Sequence, residues 1–172
     1  MNKAFLAALE EEISRLDIGQ NPSELYDPIH YLLSLGGKRI RPVLCLLTYS
    51  LFKSDWEKQV PAALSVEIFH NFTLMHDDIM DEASMRRRKA TLAAKWGNQV
   101  AVLLGDCLFA HALKLAANLP SAEVSRLVAS SSGRVCAGEI LQSHRRRRWA
   151  VDRADYFKVI EMKTAELFAL SC

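Results

Sequence analysis

The segment HNFTLMHDDIMDEASMRRRKAT, residues 70–91, places three aspartates and three arginines in a sequence otherwise apolar enough for a core helix. On a helix, Asp77 and Asp81 are four residues apart and project from one face, and His70 lies on nearly the same stripe. Like charges at this spacing destabilise an isolated helix, and buried charges are costly unless they pair or meet a charged ligand. The segment therefore predicts a helix that carries a binding site.

Helical spacing of apolar residues continues on both sides of this segment. Glycine is scarce, at 7 of 172 residues, and no stretch shows the period-two alternation and turn signals of β-strands. We predict an all-α fold in which residues 1–172 form a single domain. The predicted helices span residues 2–17, 24–35, 39–52, 57–82, 90–95, 98–118, 121–143 and 152–172.

Composition excludes several classes of function. Lysine and arginine number 22 against 20 acidic residues, a formal charge of +2, which gives no argument for a nucleic-acid partner. The four cysteines are widely spaced and indicate neither a zinc site nor a disulfide framework. The N-terminus has an amphipathic helix pattern, unlike a signal peptide, and no apolar run approaches the roughly eighteen residues that a membrane span needs. We expect a cytoplasmic protein without stable membrane insertion.

Asp77 and Asp81 form a candidate metal site. Two carboxylates at this spacing can share a divalent ion, and Mg²⁺ is typically held by one or two carboxylates together with the phosphate oxygens of a substrate. The alternative is a solvated helix end. Arg86, Arg87 and Arg88 follow closely, and their forked guanidinium groups suit a phosphate, although simple salt bridges to the aspartates are an equal alternative.

Two further basic clusters have different interpretations. The segment GGKRIRP, residues 36–42, joins two glycines to Lys38, Arg39 and Arg41 at a predicted helix start, where an anion could bind. Basic residues near a turn are also commonly just solvated. The run Arg145–Arg148 lies between two predicted helices and has no acidic complement, so we predict a solvated loop there.

Polar residues also interrupt two later helices. Lys163 and Thr164 place a cation and a hydroxyl group in one of them, and Glu139 and Gln142 form a polar pair one turn apart in the other. Each pair is also compatible with an exposed surface. Together with the carboxylates and the basic clusters, these groups suit a prenyl diphosphate, because Mg²⁺ and cations would stabilise a departing diphosphate while apolar walls exclude water.

Six sequence blocks occur in order between about residue 30 and residue 172: GGKRIRP, SVEIFHNFTLMHDDIMD, RRRKAT, LLGDCLFAHA, GEILQ and EMKTAELFALSC. Together they resemble the trans-isoprenyl diphosphate synthase, or polyprenyl synthetase, family. The resemblance implies an antiparallel all-α bundle around a deep apolar cavity, usually a homodimer. It also implies Mg²⁺-dependent condensation of isopentenyl diphosphate with an allylic diphosphate.

The resemblance assigns roles to single residues. Asp77 and Asp81 would bind Mg²⁺ on the allylic diphosphate, with Asp78 in support, and Lys163 would act in catalysis with them. The residues implied at the allylic diphosphate are Arg86, Lys163, Thr164 and, beside the metal cluster, Gln142. The residues implied at isopentenyl diphosphate are Lys38, Arg41, His70 and Arg87.

The chain departs from the family pattern in two places. Arg88 and Ala90 stand where the usual arginine motif has glycine and proline, which puts the local turn in doubt. The second aspartate-rich motif of the family, which completes the magnesium cluster, has no counterpart in the 172 residues. We therefore expect the N-terminal part of a synthase bundle, incomplete at its C-terminus and weakly active or inactive alone.

Phe72 lies five residues before Asp77, or about 7.5 Å along a helix, where a growing hydrocarbon would pass. By resemblance, an aromatic residue there would form the floor of the chain pocket and favour a C15–C20 product, although ordinary core packing is the alternative. Two other functions are considered. One is a non-catalytic regulatory subunit of a heteromeric prenyl synthase. A terpene cyclase also uses a DDxxD motif, but it does not need the GGKRIRP block.

Overall fold

The computed structural model describes residues 3–16, 18–19, 22–146 and 152–172, with only the backbone described for Arg145 and Arg146. The described part of the chain is mostly helical, which confirms the all-α prediction. In chain order, the elements are α1 (Lys3–Arg15), α2 (Ser23–Ser34), α3 (Ile40–Ser50), a 3₁₀ turn (Trp56–Gln59), α4 (Val60–Met80), β1 (Met85–Arg86), β2 (Lys89–Ala90), α5 (Leu92–Trp96), α6 (Asn98–Ala117), α7 (Ala122–Arg146), α8 (Arg153–Ile160), a π-helical segment (Glu161–Ala165) and α9 (Glu166–Leu170).

Helix starts follow the capping chemistry of the sequence. Thr91 caps α5 by accepting a hydrogen bond from the backbone N–H of Ala94 at 3.2 Å, and Asp152 caps α8 in the same way through Asp155 at 2.7 Å. Proline occupies the first turn of α4, where its missing N–H costs nothing. These caps explain why the predicted boundaries near them are close to the observed ones.

Three predicted segments differ from the structure. The segment 57–82 divides into the 3₁₀ turn and α4, and the segment 152–172 divides into α8, the π-helical segment and α9. Helix α7 continues to Arg146, so the backbone of Arg145 and Arg146 is helical where a loop was predicted. Arg147 and Arg148 lie outside the described residues.

Helices α4 and α6 form the centre of the main hydrophobic core. The side of α6 that faces this core is fully buried and consists of small and branched residues at helical spacing: Ala101, Leu104, Leu108, Ala112 and Ala116. With 20 residues and a mean hydropathy of 1.7, α6 is long and apolar enough to cross a membrane. The prediction that no apolar run approaches the length of a membrane span is therefore wrong. Core helices meet the same criteria, and α6 packs against α4 here.

A second hydrophobic cluster joins α1, α3 and α4. Phe5 and Leu9 of α1 pack with Leu46 of α3 and Ala63 of α4. Phe5 also meets the ring of Trp56 edge-on, with the centroids 4.7 Å apart. The amphipathic N-terminal helix therefore covers the first half of α4.

A short β-hairpin follows α4, although no strands were predicted. Met85 pairs with Ala90 and Arg86 with Lys89, and the two central residues, Arg87 and Arg88, both have positive φ, at 51° and 65°. Two positive φ values are typical of a type I′ hairpin turn. Strands of two residues are too short to give a period-two signal, which explains why the sequence pattern misses them.

The last helical stretch lies against α7. Glu166 accepts hydrogen bonds from Ser131 at 2.9 Å and from Arg134 at 2.6 Å, and Arg134 also pairs with Glu161 at 3.3 Å. These contacts hold both the π-helical segment and α9 on α7. The segment 161–165 is thereby placed opposite the carboxylate-rich end of α4.

Candidate functional site

Three carboxylates lie at the C-terminal end of α4. Asp77 and Asp78 belong to its last turn, and Asp81 is the C-cap residue, whose N–H donates to the carbonyl of Asp77 at 2.9 Å. The C-terminus of a helix is the negative end of its dipole, and α4 has no basic residue in its last turn. The negative end of the helix dipole repels these three carboxylates, and they also repel one another. The end of α4 therefore attracts cations.

Arg86 of β1 is one of these cations. Its Nε lies 2.9 Å from both carboxylate oxygens of Asp78 and its Nη2 lies 2.8 Å from Asp78 Oδ1, while Asp77 Oδ2 is 3.7 Å from Nη2. Asp78 is buried, and its hydrogen bond raises the pKa of Arg86. In this structure Arg86 therefore makes the salt bridge that was the alternative to phosphate binding.

Lys163 is the second cation. Its Nζ lies 2.5 Å from Asp77 Oδ1, 2.6 Å from Glu139 Oε2 and 2.5 Å from Gln142 Oε1. Burial opposes its charge, but hydrogen bonds to Asp77 and Glu139 outweigh burial and raise the pKa of Lys163. Two carboxylates and an amide oxygen thus converge on one positive charge, from α4 and α7.

A basic cavity of about 450 Å³ lies beside the aspartate-rich end. It is lined by the cationic residues Lys38, Arg41 and Arg87, with His70 among them. Arg41 Nη1 donates to His70 Nε2 at 3.0 Å. Burial, with added repulsion from Arg41 and Arg87, lowers the pKa of His70 to about 3, so the imidazole is neutral and its Nε2 is the acceptor.

Arg39, which was grouped with Lys38 and Arg41 in the predicted anion site, lines this cavity, but its charge is paired with two acids. It is 3% exposed, has a positive φ of 48°, and donates to Glu67 of α4 at 2.6 Å and to Glu10 of α1 at 2.9 Å. Asn71 donates to the same Glu67 oxygen at 3.1 Å. An acid inside an apolar helix, as Glu67 is, was the sequence signal that could have revealed this network.

An apolar cavity of about 300 Å³ adjoins the basic one, and Arg41 and His70 line both. Phe72 lines the apolar cavity and is buried, with its ring stacked on Phe109 at 5.2 Å and edge-on to His76 at 4.7 Å. Phe72 is therefore both a cavity wall and a core residue, so the two interpretations of it are compatible.

The predicted site residues differ in where they lie relative to the two cavities. Asp77, Lys163 and Thr164 line the apolar cavity directly. Gln142 reaches it through Lys163. Arg87 belongs to the basic cavity, while Arg86 is paired with the aspartates. The hairpin turn therefore sends two consecutive arginines to different sites.

The fold and sequence match known proteins closely. The family model for polyprenyl synthetase matches residues 22–172. Heptaprenyl diphosphate synthase component 2 of Geobacillus stearothermophilus is 38% identical over 97% of this chain and 52% of its own length. Geranylgeranyl pyrophosphate synthase of Geoglobus acetivorans is 34% identical over 95% and 53%, respectively.

A crystal structure of polyprenyl synthase from Caulobacter crescentus CB15, complexed with calcium and isoprenyl diphosphate, superposes with a TM-score of 0.92. It is 32% identical, and the match covers 98% of this chain and 51% of that one. The chain thus spans about half the length of the relatives that it matches. Because the family model matches nearly the whole sequence, the chain belongs to the polyprenyl synthetase family.

Proposed function

We propose that this chain supplies the substrate sites of a Mg²⁺-dependent prenyltransferase that condenses isopentenyl diphosphate with an allylic diphosphate. The observation that carries the proposal is the apolar cavity with a carboxylate-rich end on one side and a basic cavity on the other. Relatives named as geranylgeranyl and heptaprenyl diphosphate synthases support this reaction class. Such a reaction needs two diphosphate sites and a water-poor space for hydrocarbon.

Asp77 and Asp81 are proposed to hold Mg²⁺. The fit rests on the oxygen atoms of Asp77, Glu139 and Gln142, which already surround one cation, the ammonium of Lys163. Oxygen ligands are the preferred donors of hard cations. The described residues contain no cluster of three histidine, cysteine or acidic side chains suited to a metal. The proposed ion would therefore be held by one or two carboxylates and by substrate phosphate oxygens, as Mg²⁺ commonly is.

Lys163, Thr164 and Arg86 are proposed to bind the allylic diphosphate, with Asp78 holding Arg86 in place. As the allylic carbon–oxygen bond breaks, negative charge grows on the departing diphosphate, and fixed cations stabilise it. A bound Mg²⁺ would supply the same stabilisation as a Lewis acid. Lys163 would then exchange part of its contact with Asp77 for contact with the diphosphate.

Isopentenyl diphosphate is proposed to bind in the basic cavity through Lys38, Arg41, His70 and Arg87. Neutral His70 can offer Nδ1–H to a phosphate oxygen because its Nε2 accepts from Arg41. The Arg41–His70 pair lies between the two cavities, so it would hold the diphosphate while the alkene end reaches the apolar cavity.

A C15–C20 product is proposed from the ring cluster at Phe72. The ring of Phe72 stacks on Phe109 and also meets His76. Gly105 leaves room for the imidazole of His76, because a Cβ atom there would make that side chain move away. A rigid aromatic floor of this kind would limit how far the hydrocarbon extends.

Binding can be tested by calorimetric titration of a non-hydrolysable allylic diphosphate analogue in the presence of Mg²⁺. We expect Asp77→Ala to weaken binding at least tenfold, and Asp106→Ala, an exposed acid on α6, to leave it unchanged. Equal binding by the Asp77→Ala variant and the unmodified chain would contradict the proposal. Because the second aspartate-rich motif is missing, we also expect no elongation at normal rates by the 172-residue chain alone.

A second candidate is a non-catalytic regulatory subunit of a heteromeric prenyl synthase. The name of the Geobacillus relative describes one component of a heptaprenyl diphosphate synthase, which supports the heteromeric part of this candidate. The regulatory subunit and the substrate-binding half can be distinguished by mixing the chain with a complete synthase and measuring the rate and the product length. A subunit would change the rate or product length of its partner even when Asp77 is replaced by Ala, whereas a substrate-binding half would not.

The assembly and location are also proposals. A homodimer is supported by exposed apolar side chains on α6, where Leu103 is 64% exposed. Light scattering on the purified chain, compared with a Leu103→Lys variant, tests this.

We further propose that the protein works in the cytoplasm without membrane insertion, which cell fractionation can test.

A further inference from the structure

Gly138 of α7 lies unusually close to the backbone of the π-helical segment. A Cβ atom at this position would be 2.7 Å from the backbone nitrogen of Lys163 and 2.9 Å from both the carbonyl carbon and the Cβ of Met162. Real Cβ atoms essentially never approach so closely. Two of these three neighbours are backbone atoms, which cannot turn aside by changing a rotamer. Any larger residue must therefore separate α7 from the π-helical segment.

The same stretch of α7 holds the side chain of Lys163. Glu139, the next residue, lies 2.6 Å from Nζ, and Gln142, one turn after Gly138, lies 2.5 Å from it. Lys163 is the middle residue of the π-helical segment Glu161–Ala165. A π-helical turn inside an α-helix is uncommon and is frequently found at functional sites. The turn that carries Lys163 is the part of the chain that packs against α7 at Gly138.

Gly133 of the same helix gives a matched contrast. It is exposed, and a Cβ atom there would meet nothing within 4 Å. Both glycines lie inside a helix, where alanine is favoured over glycine by about 1 kcal/mol. Only Gly138 has a steric reason to lack a side chain.

We propose that Gly138 is a positioning residue that lets α7 approach the π-helical segment closely enough for Lys163 to reach Asp77. Its importance for diphosphate binding rests on the proposed function, whereas its effect on Lys163 does not. Gly138→Ala adds one methyl group, strengthens the helix propensity of α7 and changes no charge. Loss of the Lys163 contacts in that variant would therefore arise from displacement alone.

The first measurement is the NMR signal of lysine ammonium groups in chains labelled with ¹⁵N-lysine. An ammonium held by three oxygen atoms exchanges its protons slowly and gives an observable signal, which the Lys163→Met variant identifies by its disappearance. We expect this signal in Gly133→Ala and its loss or clear shift in Gly138→Ala. An unchanged signal in Gly138→Ala overturns the proposal. A Gly138→Ala chain that does not fold also overturns it, because the glycine would then be a general structural requirement.

The second measurement is calorimetric titration with inorganic diphosphate and Mg²⁺. We expect Gly138→Ala and Lys163→Met each to weaken binding about tenfold, and Gly133→Ala to bind as the unmodified chain does. If the unmodified chain binds no diphosphate, the proposed function fails, while the NMR result still decides the role of Gly138. Diphosphate binding by Gly138→Ala at full strength overturns the positioning role.

Discussion

Lys163 and Asp77 are 86 residues apart in the chain, yet the ammonium of Lys163 donates to Asp77 Oδ1 at 2.5 Å. This ion pair links the π-helical segment to the end of α4. Both side chains are about one-fifth exposed, so a ligand can reach them. The contact brings a cation to the end of α4, where the helix dipole and the neighbouring acids both favour positive charge.

Lys163→Met should raise the affinity of the ligand-free chain for Mn²⁺ about three- to tenfold. The reason is that Asp77 and Glu139 lose the cation that neutralises them, and nearby charge pairs at a protein surface interact by a few kcal/mol at most. Paramagnetic resonance of free Mn²⁺ measures this. Lys158→Met, at an exposed position of α8, is the control and should have no effect. Weaker Mn²⁺ binding by Lys163→Met would contradict the competition between ammonium and metal.

Phe72→Ala should lower the free energy of unfolding by about 3 kcal/mol, because a buried ring leaves a cavity. In any assembly of this chain that elongates, the variant should also lengthen the product, which chromatography of the prenyl alcohols shows. Phe5→Ala is the control, since Phe5 is also buried but belongs to the other hydrophobic cluster. It should cost similar stability with no change in product length. An unchanged product from Phe72→Ala would show that Phe72 does not limit the length of the product.

Arg39→Met should be strongly destabilising, by about 3–5 kcal/mol, because it leaves the carboxylate of Glu67 buried without its cation. Glu67 is 4% exposed, and Asn71 would remain as a neutral donor to its carboxylate at 3.1 Å. The double variant Arg39→Met/Glu67→Met should recover most of that loss, since no unpaired charge remains. Urea unfolding followed by circular dichroism measures both. A double variant no more stable than the single one would show that the pair is not the source of the effect.

His70 should make stability depend on pH. Its pKa is about 3 in the folded chain and about 6.5 when unfolded. The unfolded state therefore takes up a proton first as pH falls, so this stabilisation is complete above pH ~6.5 and is lost progressively towards pH ~3. Between pH 6.5 and 5, His70→Gln should unfold with a weaker pH dependence than the unmodified chain, because Gln can still accept from Arg41 without titrating. Parallel curves for the two proteins would exclude His70 as the titrating group.

Arg88→Gly should stabilise the chain by about 1 kcal/mol. Arg88 has φ of 65°, a left-handed conformation that costs non-glycine residues about 1–2 kcal/mol, part of which the greater freedom of glycine in the unfolded chain offsets. Thermal denaturation measures this. Gly36→Ala is the reverse control, because Gly36 has a similar φ of 64° and open space around it, so only backbone strain applies. It should destabilise, and the same sign for both substitutions would contradict the argument.

The helices were predictable because their signals are local. Apolar spacing identifies α4 and α6, and capping residues such as Thr91 and Asp152 mark starts within a few residues. The hairpin at Arg86 was missed because a two-residue strand carries no periodicity. The π-helical segment was missed for a different reason, since no local pattern marks it and its close contact with Gly138 of α7 is a tertiary contact.

Motif order and helical spacing are properties of the chain alone, so they were enough to predict the family, the helical class and the residue types of the site. Which charge pairs with which could be seen only from the folded arrangement. In the folded chain, Lys163 pairs with Asp77 and Arg39 pairs with Glu67. The hairpin turn directs Arg86 and Arg87 to different sites. These choices depend on distances between elements far apart in the chain, and those distances are set by side-chain packing between helices.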